Sequence, residues 1–525
     1  MSASKLEHEA KEIELKLEFD PSDATTLFAH PLFAMSDATP ADEPAPHVTR
    51  ACKGKTRELI SVYYDTDDDA LRKAGVFLRV RSNGTGFVQT IKTARSEGEF
   101  LERDEWECGL PANAPDLSAA EGTALAPLLS NRVRAALRPR FETRFQRRTY
   151  LVAHENAEIE LAVDQGEISA GDREAPVCEL ELELKAGDRA PLFSLAKTLA
   201  ESVPLTLAVK TKAERGFDLL DGGNRTVEKA QAVGVAPNET CAEAFRIVAR
   251  NCLRQILVNL PATRRGRAEA LHQMRVGLRR LRAAVTLFRD VVDGPQCRAI
   301  GGELKWISDE LGPARDLDVL IADVLEPHHA AHPNDPGWET IHDQIIQRRG
   351  EAYERAIVAT GSTRFRLALL DLGAWIEFGD WASGGNCLSR KRIAGYAARK
   401  LSQLRRKVEK KGKNLRQLSV SDRHRLRILA KRMRYGSEFF AATFEGRKSA
   451  KRCVASLAAL GKLLDSLGGL NDIATRQAYW GRGGSRAGAL SIPLPEIDSA
   501  EQKQLMKAAK RAYARFADVK AFWKE

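Results

Sequence analysis

Residues 12–16 read Glu12-Ile13-Glu14-Leu15-Lys16, and their alternation decides how the N-terminal half is read. In an extended strand, residues two apart share a face. Glu12, Glu14 and Lys16 then point one way, while Ile13, Leu15 and Leu17 point the other. Four further stretches repeat the device: Arg79-Val80-Arg81, Arg103-Asp104-Glu105-Trp106-Glu107, Glu179-Leu180-Glu181-Leu182-Glu183 and Lys210-Thr211-Lys212. An ordinary half-buried strand also alternates, with its polar face in water. Here the charged faces divide into acidic rows and basic rows. Paired carboxylates suit a hard divalent cation, and rows of arginine and lysine suit phosphate oxygens. Joined inside one closed sheet, they would make a site for a metal-bound polyphosphate.

The flanking segments continue the strand reading. Ser82-Asn83-Gly84-Thr85-Gly86 has the composition of a hairpin loop into Phe87–Lys92, a turn that brings Lys92 near Arg79 and Arg81. Residues 112–140 read as a helical insert, 145–152 and 157–163 as strands, 191–201 as a helix, and 222–237 as linker-like. After Pro237 the period changes, with apolar residues recurring every three or four positions. His272, Arg275, Arg279 and Arg282 then form one stripe on a helix, and His424, Arg427, Lys431 and Arg434 repeat the spacing. Each stripe is followed by a Leu-Gly segment, Leu311–Asp316 and Leu467–Asp472, read as related turns. Two copies of helix plus turn predict a helical bundle with an internal pseudo-twofold repeat.

A chain of 525 residues has room for two or more domains. Its net charge of +11 is unevenly spread. Residues 1–238 carry roughly 30 basic and roughly 40 acidic side chains, whereas residues 239–525 carry roughly 52 and roughly 31. The basic half should attract a polyanion. No run approaches the ~20 apolar residues of a spanning helix, so no membrane partner is expected. The polar, acidic start, Met1 to Glu9, does not read as a secretory signal. The eight cysteines are scattered without a Cys-x-x-Cys pair, which argues against a zinc site or a disulfide framework. A reducing cytoplasmic setting is expected.

The N-terminal pattern resembles the CYTH family, the triphosphate tunnel metalloenzymes, over residues 8–216, with Glu12, Glu14 and Lys16 standing as its Glu-x-Glu-x-Lys signature. Residues 237–525, beyond a linker at 217–236, resemble the CHAD domain, a helical module often fused to CYTH domains. That resemblance rests on the stretches His272–Arg282 and Lys431–Tyr435. Together these imply an α+β multidomain chain: a closed antiparallel β-barrel with a charged tunnel, then an all-α bundle. The resemblance implies Mg²⁺ or Mn²⁺ held by Glu12, Glu14, Glu179, Glu181 and Asp164, with the choice among Glu179, Glu181 and Glu183 open. It makes Lys16, Arg79, Arg81, Lys92 and Arg103 catalytic and triphosphate-binding, and adds Arg147 and Lys212 as binding residues. Glu105 and Glu107 either join the carboxylates or balance Arg103, and Arg144 and Lys210 are weaker matches. In the bundle, the two stripes would line a groove for inorganic polyphosphate, and the protein would be associated with that polymer.

The expected reaction is hydrolysis of the terminal phosphoanhydride of inorganic triphosphate by water. The same tunnel residues would serve an organic triphosphate such as thiamine triphosphate or a nucleotide. A non-catalytic, polyphosphate-targeting protein is the other alternative. The chain offers no persuasive Ser-His-Asp or Cys-His set and no P-loop. Little aromatic interleaving along the basic helices argues against nucleic acid as the partner.

Overall fold

The computed structural model describes residues 7–8, 12–34, 50–82, 84, 86–94, 101–223, 227–331, 333, 338–382, 387–480 and 499–524. The chain divides into two compact units. The first contains residues 1–229, 254–265 and 358–378, and the second contains 230–253, 266–357 and 379–525.

The first unit is built on one sheet. Its strands are β1 (Glu7–His8), β2 (Glu12–Glu18), β3 (Arg50–Asp65), β4 (Val76–Ser82), β5 (Phe87–Thr93) and β6 (Glu102–Arg103). They continue with β7 (Glu105–Leu110), β8 (Arg138–His154), β9 (Ala157–Ala170), β10 (Arg173–Gly187) and β11 (Thr206–Leu207). The order is β1-β7-β5-β4-β3-β8-β9-β10-β2-β11, with β6 on β2, and every pairing is antiparallel. The alternation read in the sequence is realised, but neither face of β2 and β10 is left to water. Leu15, Leu17, Leu180 and Leu182 are buried on one face. The helix Pro191–Ser202 packs against both strands and buries Leu192, Phe193, Leu195 and Leu199. On the other face Glu14, Lys16, Glu179 and Glu181 are buried too. Charges enclosed in this way must pair, because an isolated buried charge costs several kcal/mol.

Five expectations are corrected. The sheet is not a closed barrel. Its ladder has two ends, and among the described residues the strand pairing across them is the two-residue β6, which pairs Glu12 with Arg103 and Ile13 with Glu102, beside a bond from Glu14 N to the Leu101 carbonyl at 3.0 Å. Asp104 separates β6 from β7, its carbonyl accepting from Thr93 N at 3.2 Å, so the Arg103–Glu107 stretch serves two partners rather than one strand. The Lys210–Lys212 stretch is no strand either. Thr211 caps the helix Lys212–Leu220 in a reciprocal capping box with Glu214, a Thr-x-x-Glu signal present in the sequence. Residues 112–137 form short 3₁₀ turns and a single α-helix, Asn131–Ala136, and residues 138–140 already open β8. Their Ala120, Leu125 and Leu129 pack on Leu71, Leu78 and Ile91, and tertiary burial overrides helix propensity there.

The fifth correction lies in the second unit, which is helical. Its stripe-bearing helices, Ala268–Leu287 and Val420–Phe439, have 20 residues each and pack on one another. The first Leu-Gly segment separates the helix Pro295–Glu310 from Gly312–Leu320. The second, Leu467–Asp472, makes no turn and runs inside the helix Arg447–Trp480. Its glycines serve close approach instead. A Cβ on Gly468 would stand 3.3 Å from the Arg427 guanidinium, and one on Gly469 would stand 2.9 Å from Leu505. The segment Arg447–Asn471 is long and apolar enough to cross a membrane, and its packing accounts for that composition: 56% of it is buried within the protein. The seven cysteines with described side chains are all unpaired.

Candidate active site

Strand register carries the charged rows to one place. Glu181 of β10 lies opposite Lys16 of β2, and Glu183 lies opposite Glu14. Asp164 of β9 lies between Glu179 on one side and Arg147 of β8 on the other. Across the sheet, Arg79 and Arg81 face Tyr63 and Ser61 of β3, while Lys92 lies opposite Glu105. Part of this set surrounds a cavity of about 200 Å³. Lys16, Arg79, Arg81, Lys92, Arg147 and Lys212 line it with the carboxylates Glu12, Glu105, Glu107, Glu181 and Glu183. Arg103 is placed opposite Glu12 by its backbone, and its side chain lies outside the described residues.

At the centre stands Glu181, which accepts from Lys16 Nζ at 2.5 Å, Arg147 Nη2 at 2.6 Å and Lys212 Nζ at 3.0 Å. Burial alone would push its carboxyl up, but Lys16, Lys212 and Arg147 together hold it well below the usual range. Asp164 accepts a fork from Arg147, at 2.8 Å to Nε and 2.7 Å to Nη2, and lies 2.9 Å from Lys212. Glu179 is fully enclosed, bonded to Lys212 and, at 3.1 Å, to Arg215. Of the three glutamates on β10, the cavity therefore receives Glu181 and Glu183, while Glu179 and Asp164 sit behind it as counter-ions. Lys212 reaches this hub because its helix lies flush on Phe141, where a Cβ on Gly216 would stand 2.1 Å from the ring.

The other wall is set by Lys92, which lies 2.6 Å from Glu105 and 3.4 Å from Glu12. Arg79 lies 3.7 Å from Glu105 and 3.8 Å from Glu107. Arg81 differs. Its Nε donates to Ser61 Oγ at 3.1 Å, and among the described residues it has no carboxylate within 4.0 Å. Burial, then the neighbouring Arg79 and Arg147, push its guanidinium down to about 9. Tyr63 and Asp164 oppose that push, and Arg81 is still a cation at neutral pH, but one in which repulsion and burial outweigh attraction. Lys210 lies apart, paired with Asp218 at 2.7 Å and Glu228 at 2.6 Å, and Arg144 is exposed beside Glu142.

Sequence reasoning did not pick out Tyr63, Arg215 or Lys185. The buried Tyr63 and the exposed Lys185 line the cavity, and Arg215 holds Glu179. Only Tyr63 carried a signal, standing two residues from Ser61 on the same strand face.

Among the described residues, no three Asp, Glu, His or Cys side chains converge as a ready-made metal cluster. The donor chemistry nevertheless fits a hard divalent cation. Glu12 and Glu183 both line the cavity. Burial pushes the Glu183 carboxyl up, Lys185 opposes this, and Glu12 and Glu160 push it up further. Mutually repelling oxygens of this kind are what a divalent cation relieves.

In the second unit, His272, Arg275 and Arg279 stand half-buried along one helix. His272 Nδ1 and the Nε atoms of Arg275, Arg279 and Arg427 are buried with no hydrogen-bond partner. Arg275 donates instead from Nη1 to the Ser308 carbonyl at 3.0 Å. Burial holds His272 below the usual histidine range, and Arg315, Arg279 and Arg275 depress it further against Glu269. Arg282 and His424 are exposed, Lys431 is half-buried, and Arg434 pairs with Glu438 at 2.8 Å.

Comparison with known proteins agrees with this division. An inorganic triphosphatase of Haemophilus influenzae is 32% identical over 161 residues, 30% of this chain and 45% of that protein. The match thus spans less than half of that relative's length. The crystal structure of the CHAD domain from the plant Ricinus communis is 26% identical, with 57% of this chain and 93% of that chain covered and a TM-score of 0.40. A structure from Hippeastrum, described as a putative adenylyl cyclase with a dominant triphosphatase activity, is 19% identical. It covers 40% of this chain and 96% of that one, at a TM-score of 0.28. The family models for the CYTH domain and the CHAD domain match residues 10–217 and 247–480 respectively, and the chain is accordingly a CYTH domain followed by a CHAD domain.

Proposed function

We propose that the first unit hydrolyses the terminal phosphoanhydride of inorganic triphosphate and that the second binds inorganic polyphosphate. The observation that carries the first part is Arg81. Every other described cation lining the cavity has a carboxylate within 4.0 Å, whereas Arg81 has none among the described residues, and the attraction of Tyr63 and Asp164 is outweighed by burial, Arg79 and Arg147. A site that keeps a desolvated guanidinium without a carboxylate partner is short of one anion, and two oxygens of a phosphate group supply it bidentately. Lys16, Arg79, Lys92, Arg147 and Lys212 then bind the rest of the chain by exchanging carboxylate partners for phosphate. They also neutralise charge that builds on the leaving diphosphate.

Glu12, Glu14 and Glu183 would hold Mg²⁺ or Mn²⁺, which when bound supplies charge neutralisation at the phosphate oxygens. Water is the nucleophile, oriented by a glutamate of this group, so no side-chain nucleophile is required. The named relative supports an inorganic substrate.

The test is phosphate release from purified protein with Mg²⁺ or Mn²⁺, comparing inorganic triphosphate, ATP, thiamine triphosphate and long-chain polyphosphate. Preference for triphosphate, abolished by chelator, is expected. Substituting Glu12→Gln and Glu14→Gln together should lower that turnover by about 10³ or more and leave polyphosphate binding intact. Turnover retained in the double variant would remove these glutamates from the site. Polyphosphate binding with no turnover on any substrate would point to a targeting protein.

For the second unit, the supporting observation is the set of buried, unpartnered N–H groups on Arg275, Arg279 and Arg427. We read the two stripes as copies of one anion-binding element. Arg275→Ala with Arg279→Ala is expected to weaken polyphosphate binding by more than about 100-fold, each charged contact contributing about 1.5–3 kcal/mol. The pH dependence has a definite sign. His272 is depressed in the free protein, and a bound polyanion raises it, so binding takes up a proton. Affinity should therefore rise as pH falls from about 7 to about 5.5, and His272→Gln should flatten that slope in a binding titration.

A further inference from the structure

The carboxylate end of the tunnel already holds a cation that belongs to the chain. Lys185 follows Glu183 by two residues on β10, and the strand bulges there. Leu184 pairs with Ile159 and Ala186 with Glu158, leaving Lys185 as the extra residue with no partner across the ladder. A bulge of this kind re-aims a side chain. The Lys185 ammonium lies 2.7 Å from Glu183 and 3.9 Å from Glu160, and its side chain lines the same cavity as Glu12. It is 38% exposed, unlike the enclosed Lys16 and Lys212, so it can leave without opening the core.

We propose that Lys185 is a resident counter-ion of the carboxylate end of the tunnel, which a divalent cation must displace, so that Lys185 sets the metal affinity of the site. The inference rests on the reading of Glu12, Glu14 and Glu183 as the metal-holding group. Without metal, Glu12 and Glu183 put two negative charges on the cavity wall, and Glu160 stands 3.9 Å from the same ammonium. An ammonium on a flexible four-carbon stem offsets them, at the expense of competing with any cation that arrives. Lys185 is thus a positioning residue for metal occupancy and not a catalytic one. Lys92 holds Glu12 and Glu105 in a related way, but it also belongs to the proposed triphosphate-binding set, so Lys185 is where the effect can be isolated.

The experiment titrates Mn²⁺ into the full-length protein without substrate and reads free Mn²⁺ by electron paramagnetic resonance. Wild type is compared with Lys185→Gln and Lys185→Arg. Removing one positive charge within about 4 Å of the ligands, in a half-solvated setting, is expected to tighten Mn²⁺ binding about fivefold or more. The arginine variant should stay within about twofold of wild type. A thermal melt gives a second readout: saturating Mn²⁺ should raise the melting temperature of Lys185→Gln by more than it raises that of wild type. Equal or weaker Mn²⁺ binding by a Lys185→Gln protein, with wild-type binding and turnover intact, overturns the counter-ion role and leaves the proposed reaction standing. A higher KM for triphosphate in Lys185→Gln without tighter Mn²⁺ binding also overturns it, in favour of a phosphate contact. Wild type that binds no Mn²⁺ at all overturns this proposal and the metal reading together.

Discussion

Substituting Arg81 by alanine is expected to lower kcat/KM for triphosphate about a thousandfold while the melting temperature holds or rises. Both effects have one cause. A buried charge stabilises a fold only through what it pairs with, and Arg81 has Ser61 Oγ and, among the described residues, no carboxylate within 4.0 Å. Its guanidinium is disfavoured by burial, by Arg79 and by Arg147. Deleting it removes that cost from the folded state and the principal unoffset positive charge facing the substrate. Arg79→Ala provides the contrast. It strips Glu105 and Glu107 of a partner, at 3.7 and 3.8 Å, so stability should fall along with activity. Measuring turnover and thermal unfolding on both variants separates the cases. Loss of several degrees in the Arg81 variant would mean that the residue serves the fold.

The element types were legible wherever the periodicity was strong. The Glu-x-Glu-x-Lys and Glu-x-Glu-x-Glu rows announced strands, because a strand is the regular structure that puts every second residue on one face. The two histidine-headed stripes announced helices through their own spacing of three and four. What local sequence does not encode is which row meets which. Glu181 faces Lys16 across 165 residues of chain, and that register depends on the packing of the whole sheet. For this reason the sequence left the choice among Glu179, Glu181 and Glu183 open. Their roles differ only through their neighbours, Glu179 being enclosed by Lys212 and Arg215 while Glu183 lines the cavity. Closure of the barrel was over-read because the connection on which it turns, β6, is two residues long and leaves no periodic trace. Lys185 was invisible because a bulge is a property of strand pairing. Gly468-Gly469 was misread in the opposite sense: a glycine pair signals a turn locally, but here it admits Arg427 and Leu505 to a continuous helix.

Glu181→Gln is the second substitution with a large expected effect, and its signature is a stability loss that the substrate repairs. Glu181 is 8% exposed and is the shared partner of Lys16, Arg147 and Lys212. Removing one partner from a buried ion pair costs about 3–5 kcal/mol, because the other charge is left desolvated. Here the three cations keep Glu14, Asp164 and Glu179, which places the loss near the lower figure. Tripolyphosphate offers the same cations a replacement anion. Urea unfolding of Glu181→Gln should therefore show a deficit of about 3 kcal/mol in plain buffer, much of it recovered with saturating tripolyphosphate. The pH dependence follows from linkage. The Glu181 carboxyl lies well below its ordinary value, so its contribution is present above the unfolded carboxylate range, near 4.3, and fades as pH falls toward the folded value. Wild type should lose stability steeply on acidification below about pH 4.5, and Glu181→Gln less steeply. A deficit under about 1 kcal/mol that tripolyphosphate leaves unchanged would mean that the three cations do not depend on Glu181. In that case the tunnel would be a structural ion-pair network already balanced without substrate, and the case for phosphate displacing carboxylate at its centre would be lost.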